Sequence, residues 1–343
     1  MSIFERTKYI TGLRAYSALG VLLIHSGGGG LRELSSFTNK IVDFGKYGVV
    51  SFFVISAFTI SMSVDRMEQF NLKEYFFKRF LRIAPLFYIV TLFCFFFTGG
   101  NEYFNNLFGV QSNLYSLILH LTFLNLFDVR HINNIIGVEG TVPIEFAYYL
   151  FIPYILILFK KNKKIIYPIV IAAFIFSFYS FQFFSRFYNK TNLFISHNLS
   201  LEKYLFTFII GIAGYLLWRE RKEFSFGSSL ALLFHFILLA SMIKWEIQYP
   251  EIYFALWVVG LVFICSGKSW LAKVVFENPV IEYIGKISYS IYLVHFPIIN
   301  ALPQFKSQVL NLIVPLGISI VIGSLTYQFI ELQFIRIAHK KSK

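Results

Sequence analysis

The sequence predicts an all-α integral membrane protein, a polytopic bundle of about ten transmembrane helices with both termini in the cytoplasm. Three observations carry that prediction. Of its 343 residues, 57% are hydrophobic and only 14% charged, where soluble domains carry nearer a quarter charged residues. The mean hydropathy is +0.64. Runs such as VIAAFIFSFYSFQFF and NLIVPLGISIVIGSLTYQF are long and nearly charge-free, as membrane-crossing helices must be. The 43 Phe and 21 Tyr fit lipid-facing packing and interfacial belts better than an aromatic ligand box.

In chain order, the first predicted span is Ile10 to Ser26. It is flanked by Arg6 and Lys8, but a polar site and a glycine run follow it without a small-residue cleavage pattern, so it reads as a span and not a signal peptide. Phe44 to Val64 is second and Leu81 to Thr98, entered through KRFLRIAP, third. Val110 to Phe127 is apolar but holds Gln111, Asn113, His120 and Asn125, which fits an interfacial or re-entrant helix as well as a span. Ile144 to Phe159, Ile165 to Phe184, Leu199 to Trp218, Ser228 to Ile243 and Glu251 to Gly267 come next, then Val280 to Ile299 and Gln308 to Ile330. No tandem repeat or linker divides the chain, so residues 1–343 read as a single transmembrane domain.

Charge orients these spans. With the N-terminus in the cytoplasm, inner segments hold twenty Lys and Arg against nine in outer segments, with Arg14 and Lys286 left within spans. That excess supports both termini inside. The net charge of +13 does not point to nucleic acid, because the basic residues sit in short loops between apolar runs. Cys94 and Cys265 both lie in apolar runs, so neither a disulfide framework nor a metal site is expected.

Ionisable residues inside a span mark a site by default, since they are costly in lipid. Arg14 and His25, in TGLRAYSALGVLLIH, are eleven positions apart. On a helix that spacing leaves them within about 20° of one face and roughly 16 Å apart. Arg14, Arg79 and Arg82 fall toward the cytoplasmic side of the predicted topology. His25, Glu145 and His295 fall toward the outer side, and Glu331 returns to the inner edge. Guanidinium groups suit phosphates, being planar, bidentate and always charged. Imidazole and carboxylate suit proton transfer at neutral pH. Coenzyme A has the matching shape, with phosphates at one end, a long thin arm, and an acyl thioester at the other.

These residues resemble the membrane acyltransferase family 3. The Arg14 to His25 spacing matches that family's first-span signature, and GVVSFFVISAF, Gly48 to Phe58, is similar to its second span. Arg79 and Arg82 match its arginine-x-x-arginine motif. EFAYYLFIP places its glutamate on Glu145, SYSIYLVH ends at His295, and YQFIELQFIR resembles its closing motif. The likeness is weak from about Ile165 to Trp218, and Gly140-Thr141, Ala57 and Gln333 depart from the pattern. The resemblance implies an acyl-CoA-dependent O-acyltransferase, of acetyl groups above all, in the bacterial plasma membrane. Its acceptor would be a hydroxyl of an envelope or exported carbohydrate or glycolipid. The extracellular hydrolase-like domain that such proteins often append is not seen in this chain.

Each residue also has a plainer reading. Arg14 and His25 could be a packing pair, Arg79 and Arg82 positive-inside anchors, and Glu145 an interfacial charge. The combined reading assigns His25 as general base or transient acyl carrier, Arg79 and Arg82 to the phosphates of acyl-CoA, and Arg14 to the thioester arm. Glu145 orients the acceptor or stabilises an imidazolium, and His295 stands behind the site or at the acceptor. No metal is required, and a homo-oligomer is compatible with all of this. Glu331 reads as structural, pairing with Arg336. His120, His131, His197, His235 and His339 read as background, Tyr283, Tyr289 and Tyr292 as packing, and Gly27 to Gly30 as a flexible outer loop. The rival class is a transporter or flippase of a lipid-linked sugar, since midplane charges also line transport paths. A regulatory protein that kept the fold without activity is a third reading.

Overall fold

The computed structural model describes residues 7–67, 70–186, 195, 197–220, 228–267 and 269–340, which contain helices and no strands. Arg6, Lys190, Arg221, Lys222, Lys268, Lys341 and Lys343, counted above for orientation, lie outside these residues. The helices used below are α1 (Lys8–His25), α2 (Ser36–Phe44), α3 (Gly48–Asp65), α4 (Leu72–Phe93), α5 (Leu114–Leu121), α6 (Thr141–Lys161), α7 (Ile166–Phe184) and α8 (Leu201–Glu220). They continue with α9 (Ser228–Trp245), α10 (Pro250–Cys265), α11 (Trp270–Phe276), α12 (Pro279–Lys286), α13 (Ser288–Ala301), α14 (Gln308–Thr326) and α15 (Leu332–Lys340).

Among the described residues, six stretches are long and apolar enough to cross a bilayer: Ser36–Asp65, Leu72–Thr98, Thr141–Lys161, Lys163–Phe183, Leu201–Glu220 and Gln308–Lys340. A seventh forms if α10 and α11, which meet at a 120° bend, are one span. The sequence predicts about ten, and the predicted spans outside these six or seven differ from them in ways their residues explain. Helix α1 carries Arg14 and Lys8 in the predicted first span and its approach. Helix α9 is apolar but short. The predicted span Val280 to Ile299 is two helices, because the chain turns at Ile287 between α12 and α13. The α12 piece keeps an i,i+4 pair of Glu282 and Lys286 at 2.7 Å on its half-exposed side.

Burial separates an inner from an outer layer. The apolar windows of Ser36–Asp65 and Leu201–Glu220 are 61% buried inside the protein, against 17% for Lys163–Phe183 and Gln308–Lys340. The latter two therefore turn most of their apolar surface outward, which only lipid would cover without penalty. Helix α1 packs between α3, α12 and α13. Its contact with α12 is backbone on backbone, since a Cβ on Gly285 would lie 1.9 Å from the Thr11 carbonyl oxygen. Gly285→Ala is expected to destabilise the protein by about 1–3 kcal/mol through this clash, seen as a lowered unfolding temperature in detergent. An unchanged temperature would mean that α1 and α12 can separate freely.

The glycine run after α1 forms a corner that is packed at Gly28 and Gly29 and open at Gly27. Gly27, Gly28, Gly29 and Gly30 have φ of 77°, 86°, 60° and 90°, values that other residues adopt only with strain. Gly28 lies against Val42 and Gly29 against Leu312. The run ends α1 at His25 and reverses the chain toward α2. His25 therefore occupies the carbonyl end of α1, where a helix favours positive charge.

Candidate functional site

Arg14 of α1, Arg79 and Arg82 of α4, and Glu145 of α6 line one cavity of about 430 Å³. Helix α4 starts at Leu72, earlier than the predicted Leu81. Asn71 caps it by accepting from the Glu74 amide (3.2 Å), and Glu74 pairs with Lys78 one turn on (2.6 Å). Both arginines thus sit inside a helix, three positions apart on one face. Arg14 Nη2 reaches Thr59 Oγ1 at 3.4 Å. Arg79 lies 5.7 Å over the Tyr75 ring, and its buried Nε has no hydrogen-bond partner.

Arg82 is held differently. It forms a salt bridge through Nη1 to Glu331 Oε1, while Glu331 Oε2 accepts from Ser290 Oγ at 2.8 Å. This corrects the expected Glu331–Arg336 pairing. A π-turn, Tyr327–Glu331, interrupts the helix between α14 and α15. Arg336 lies five positions on in the α-helix that follows, about 140° round it, so it shares no face with Glu331. Glu331 is 2% exposed, so its charge needs the cation.

Glu145 also sits elsewhere than expected. It lines the arginine cavity and not the His25 cavity, because α6 begins at Thr141 and carries it one turn into the bundle. Its Oε1 accepts from Ser56 Oγ (2.5 Å) and from Tyr149 OH (2.6 Å), and these two hydroxyls are 3.0 Å apart. The sequence reading assigned no role to Ser56 or Tyr149. The signal for Ser56 was a lone hydroxyl in the buried, otherwise apolar stretch FFVISAF of α3.

His25 lines a second cavity, also about 430 Å³, with Lys46, Asn133, Asn198, Lys203 and Glu251 and the rings of Tyr47, Tyr103, Tyr204 and Phe296. Amides, charges and aromatic faces together suit a hydroxyl-rich ligand, which offers many hydrogen-bonding edges and small apolar faces. His25 Nδ1 lies 2.8 Å from His295 Nε2. The rings are nearly parallel, with centroids 5.1 Å apart, and Phe296 meets the His25 ring edge-on at 5.0 Å. His295 is 1% exposed.

Val49, Thr141 and Tyr292 line both cavities. Tyr292 OH donates to the Val138 carbonyl (2.8 Å), so Thr141 Oγ1, at 2.7 Å, donates to Tyr292 OH. Arg14 and His25, on one helix, thus face separate chambers that share a wall. Tyr289 and Tyr292, expected as packing, belong to that lining, whereas Tyr283 is 47% exposed.

Residues 110–127 form the short helix α5 and a turn. His120, expected as background, is fully buried there, with Nδ1 2.7 Å from the Ser116 carbonyl and Nε2 3.0 Å from Glu139 Oε1. Glu139 also accepts from the amides of Ile135 and Ile136 (2.9 Å each) and Gly137 (2.5 Å). Sequence reasoning missed Glu139. The knot fixes the segment whose Asn133, Gly137 and Val138 wall the second cavity.

The profile of the acyltransferase domain family matches residues 7–328. Proteins of Staphylococcus aureus strains COL and MSSA476, each provisionally named an O-acetyltransferase, are 23% identical over 372 residues, covering 96% of this chain and 58% of their own length. The peptidoglycan O-acetyltransferase of Listeria monocytogenes serovar 1/2a is 25% identical over 355 residues, covering 94% of this chain and 54% of its own. The chain thus spans little more than half the length of these relatives. No solved structure matches.

Proposed function

This chain belongs to the acyltransferase domain family, and from that premise we propose that it moves an acyl group, acetyl above all, from cytoplasmic acyl-coenzyme A to a hydroxyl of an envelope or exported carbohydrate. The observation that carries the reading is the pair of chambers in series, cationic around Arg14 and Arg79 and imidazole-bearing around His25, divided by Thr141 and Tyr292. An eleven-residue helical rise separates Arg14 from His25, roughly 16 Å, which an extended pantetheine arm can span.

In this reading both termini face the cytoplasm of a bacterial plasma membrane, and the donor enters at the arginines. Arg79, whose buried Nε lacks a protein partner, takes a phosphate with Arg82 beside it. Arg14 steadies the arm near Thr59. The thioester passes the Thr141–Tyr292 pair to reach His25. His25 accepts the proton of the acceptor hydroxyl as its oxygen attacks the thioester carbonyl. The C–S bond then breaks, and the departing thiolate takes that proton back. The carbonyl end of α1 favours the positive charge His25 carries in between. Glu145, held by Ser56 and Tyr149, sits on the donor side and orients the arm or Arg14, not the acceptor.

The test is purified protein in detergent with labelled acetyl-CoA and glycan fragments. We expect release of free coenzyme A matched mole for mole by O-acetylated glycan. Movement of a lipid-linked sugar across proteoliposomes with no consumption of any acyl-CoA would overturn the assignment in favour of a carrier.

A further inference from the structure

His295 lines neither of the two chambers, yet it is the hydrogen-bond partner of a residue that does. Its own bonds decide which proton His25 holds. His295 Nδ1 lies 2.7 Å from the Tyr292 carbonyl oxygen and 3.3 Å from that of Ile291. A carbonyl only accepts, so Nδ1 carries the hydrogen. In a neutral ring that leaves a lone pair on His295 Nε2, so the proton in the 2.8 Å contact comes from His25 Nδ1. A neutral His25 has one ring proton. With it spent on His295, His25 Nε2 is bare, and Nε2 is the nitrogen on the side away from His295.

We infer that His295 is a positioning residue that locks His25 in its Nδ1-protonated form and so presents the Nε2 lone pair to the acceptor hydroxyl. An unconstrained histidine side chain favours the opposite tautomer, with the hydrogen on Nε2, which offers a donor where a base is needed. The locking chain is built from backbone and a buried side chain. It runs from backbone carbonyls one turn back on α13, through a buried ring, to a residue pinned at the end of α1 by the glycine corner. When His25 Nε2 takes the acceptor proton, Nδ1–H stays donated to His295 Nε2, whose lone pair stabilises the positive charge on the His25 ring. The proton then returns from Nε2 to the leaving thiolate, and His295 ends as it began. A neutral ring thus fills the place that a carboxylate holds in a hydrolase triad, where loss of the correct tautomer lowers turnover by about 10⁴-fold. The inference deepens the assignment of His25 as base and rests on it for its purpose, though not for its geometry.

The experiment is nitrogen NMR of the full chain in detergent with ¹⁵N-labelled histidine, the His25 signals being identified by their absence in His25→Asn. Wild type is expected to show His25 Nδ1 protonated and Nε2 bare. In His295→Leu the Nε2-protonated form should appear, with kcat down about 10²-fold or more and KM for both substrates within about threefold. His295→Gln, whose amide oxygen can accept from Nδ1–H, should keep the wild-type tautomer and turn over at least about tenfold faster than His295→Leu. A protonated Nε2 in wild type, or equal kcat for the Gln and Leu variants, would overturn the inference. The nitrogen signals need no turnover, so a protein with this tautomer that transfers no acyl group refutes the proposed reaction and leaves the His25–His295 arrangement standing. If His295→Leu does not fold, wild type and His295→Gln still decide it.

Discussion

His25→Ala is expected to lower kcat for acyl transfer by about 10³-fold, in the range that removal of a positioned general base produces, with donor KM within about threefold of wild type. The split follows from the two chambers. In the proposed reading the phosphates of coenzyme A are held at Arg79 and Arg82, in the chamber that His25 does not line. The substitution is also expected to leave the fold intact. His25 is only partly buried at a helix end, and the contact it gives up, to His295 Nε2, opens onto a cavity that water can enter. Steady-state kinetics with both substrates varied, beside an unfolding temperature, separate the outcomes. Transfer at the native rate by a folded His25→Ala protein would remove the imidazole from the chemistry. A large rise in donor KM would instead place the thioester arm against His25 in the ground state.

Parts of this arrangement were legible in the sequence because they are local. The eleven-residue spacing of Arg14 and His25 fixes their shared face through helix periodicity alone. The triplet spacing of Arg79 and Arg82 does the same, and both pairs reach the chambers. What periodicity does not encode is which distant residue answers a charge. Arg82 and Glu331 are 249 residues apart, and Ser56 and Glu145 are 89 apart. A π-turn at Tyr327–Glu331 leaves the apolar pattern almost untouched while changing the direction Glu331 points. Hydropathy likewise averages across the turn at Ile287, so α12 and α13 read as one span although the helix is interrupted between them. The His120–Glu139 pair was hidden for another reason. Its partners are backbone amides and a carbonyl, which every sequence supplies, so no residue pattern announces it.

The two arginines that look equivalent in the sequence are expected to behave oppositely when removed. Arg79→Ala should raise donor KM by about 10- to 100-fold, matching about 1.5–3 kcal/mol for a hydrogen bond to a charged group, and leave stability near wild type. Its Nε has no protein partner to abandon, and Arg79 itself is only partly buried, although the Tyr75 ring beneath it is fully buried. Arg79→Lys should fall between, since an ammonium keeps the charge and loses the bidentate fork. Arg82→Ala should mainly unfold the protein. It strands Glu331, 2% exposed and otherwise held by Ser290, and breaking a buried pair at one partner costs about 3–5 kcal/mol. Removing both charges, as in Arg82→Met with Glu331→Leu, should recover most of that stability, because no uncompensated carboxylate is left in the bundle. Thermal unfolding across the four proteins, with coenzyme A binding measured by calorimetry, reads both effects. If Arg79→Ala were the unstable variant, or the double substitution no better than Arg82→Ala, the division of labour between a ligand-facing and a structural guanidinium would be wrong. The division matters for mechanism, because the cation already bound to Glu331 has less charge to offer a phosphate. Most of the donor's anchoring would then fall on Arg79 and Arg14, the two whose polar contacts in the protein are with neutral groups or absent.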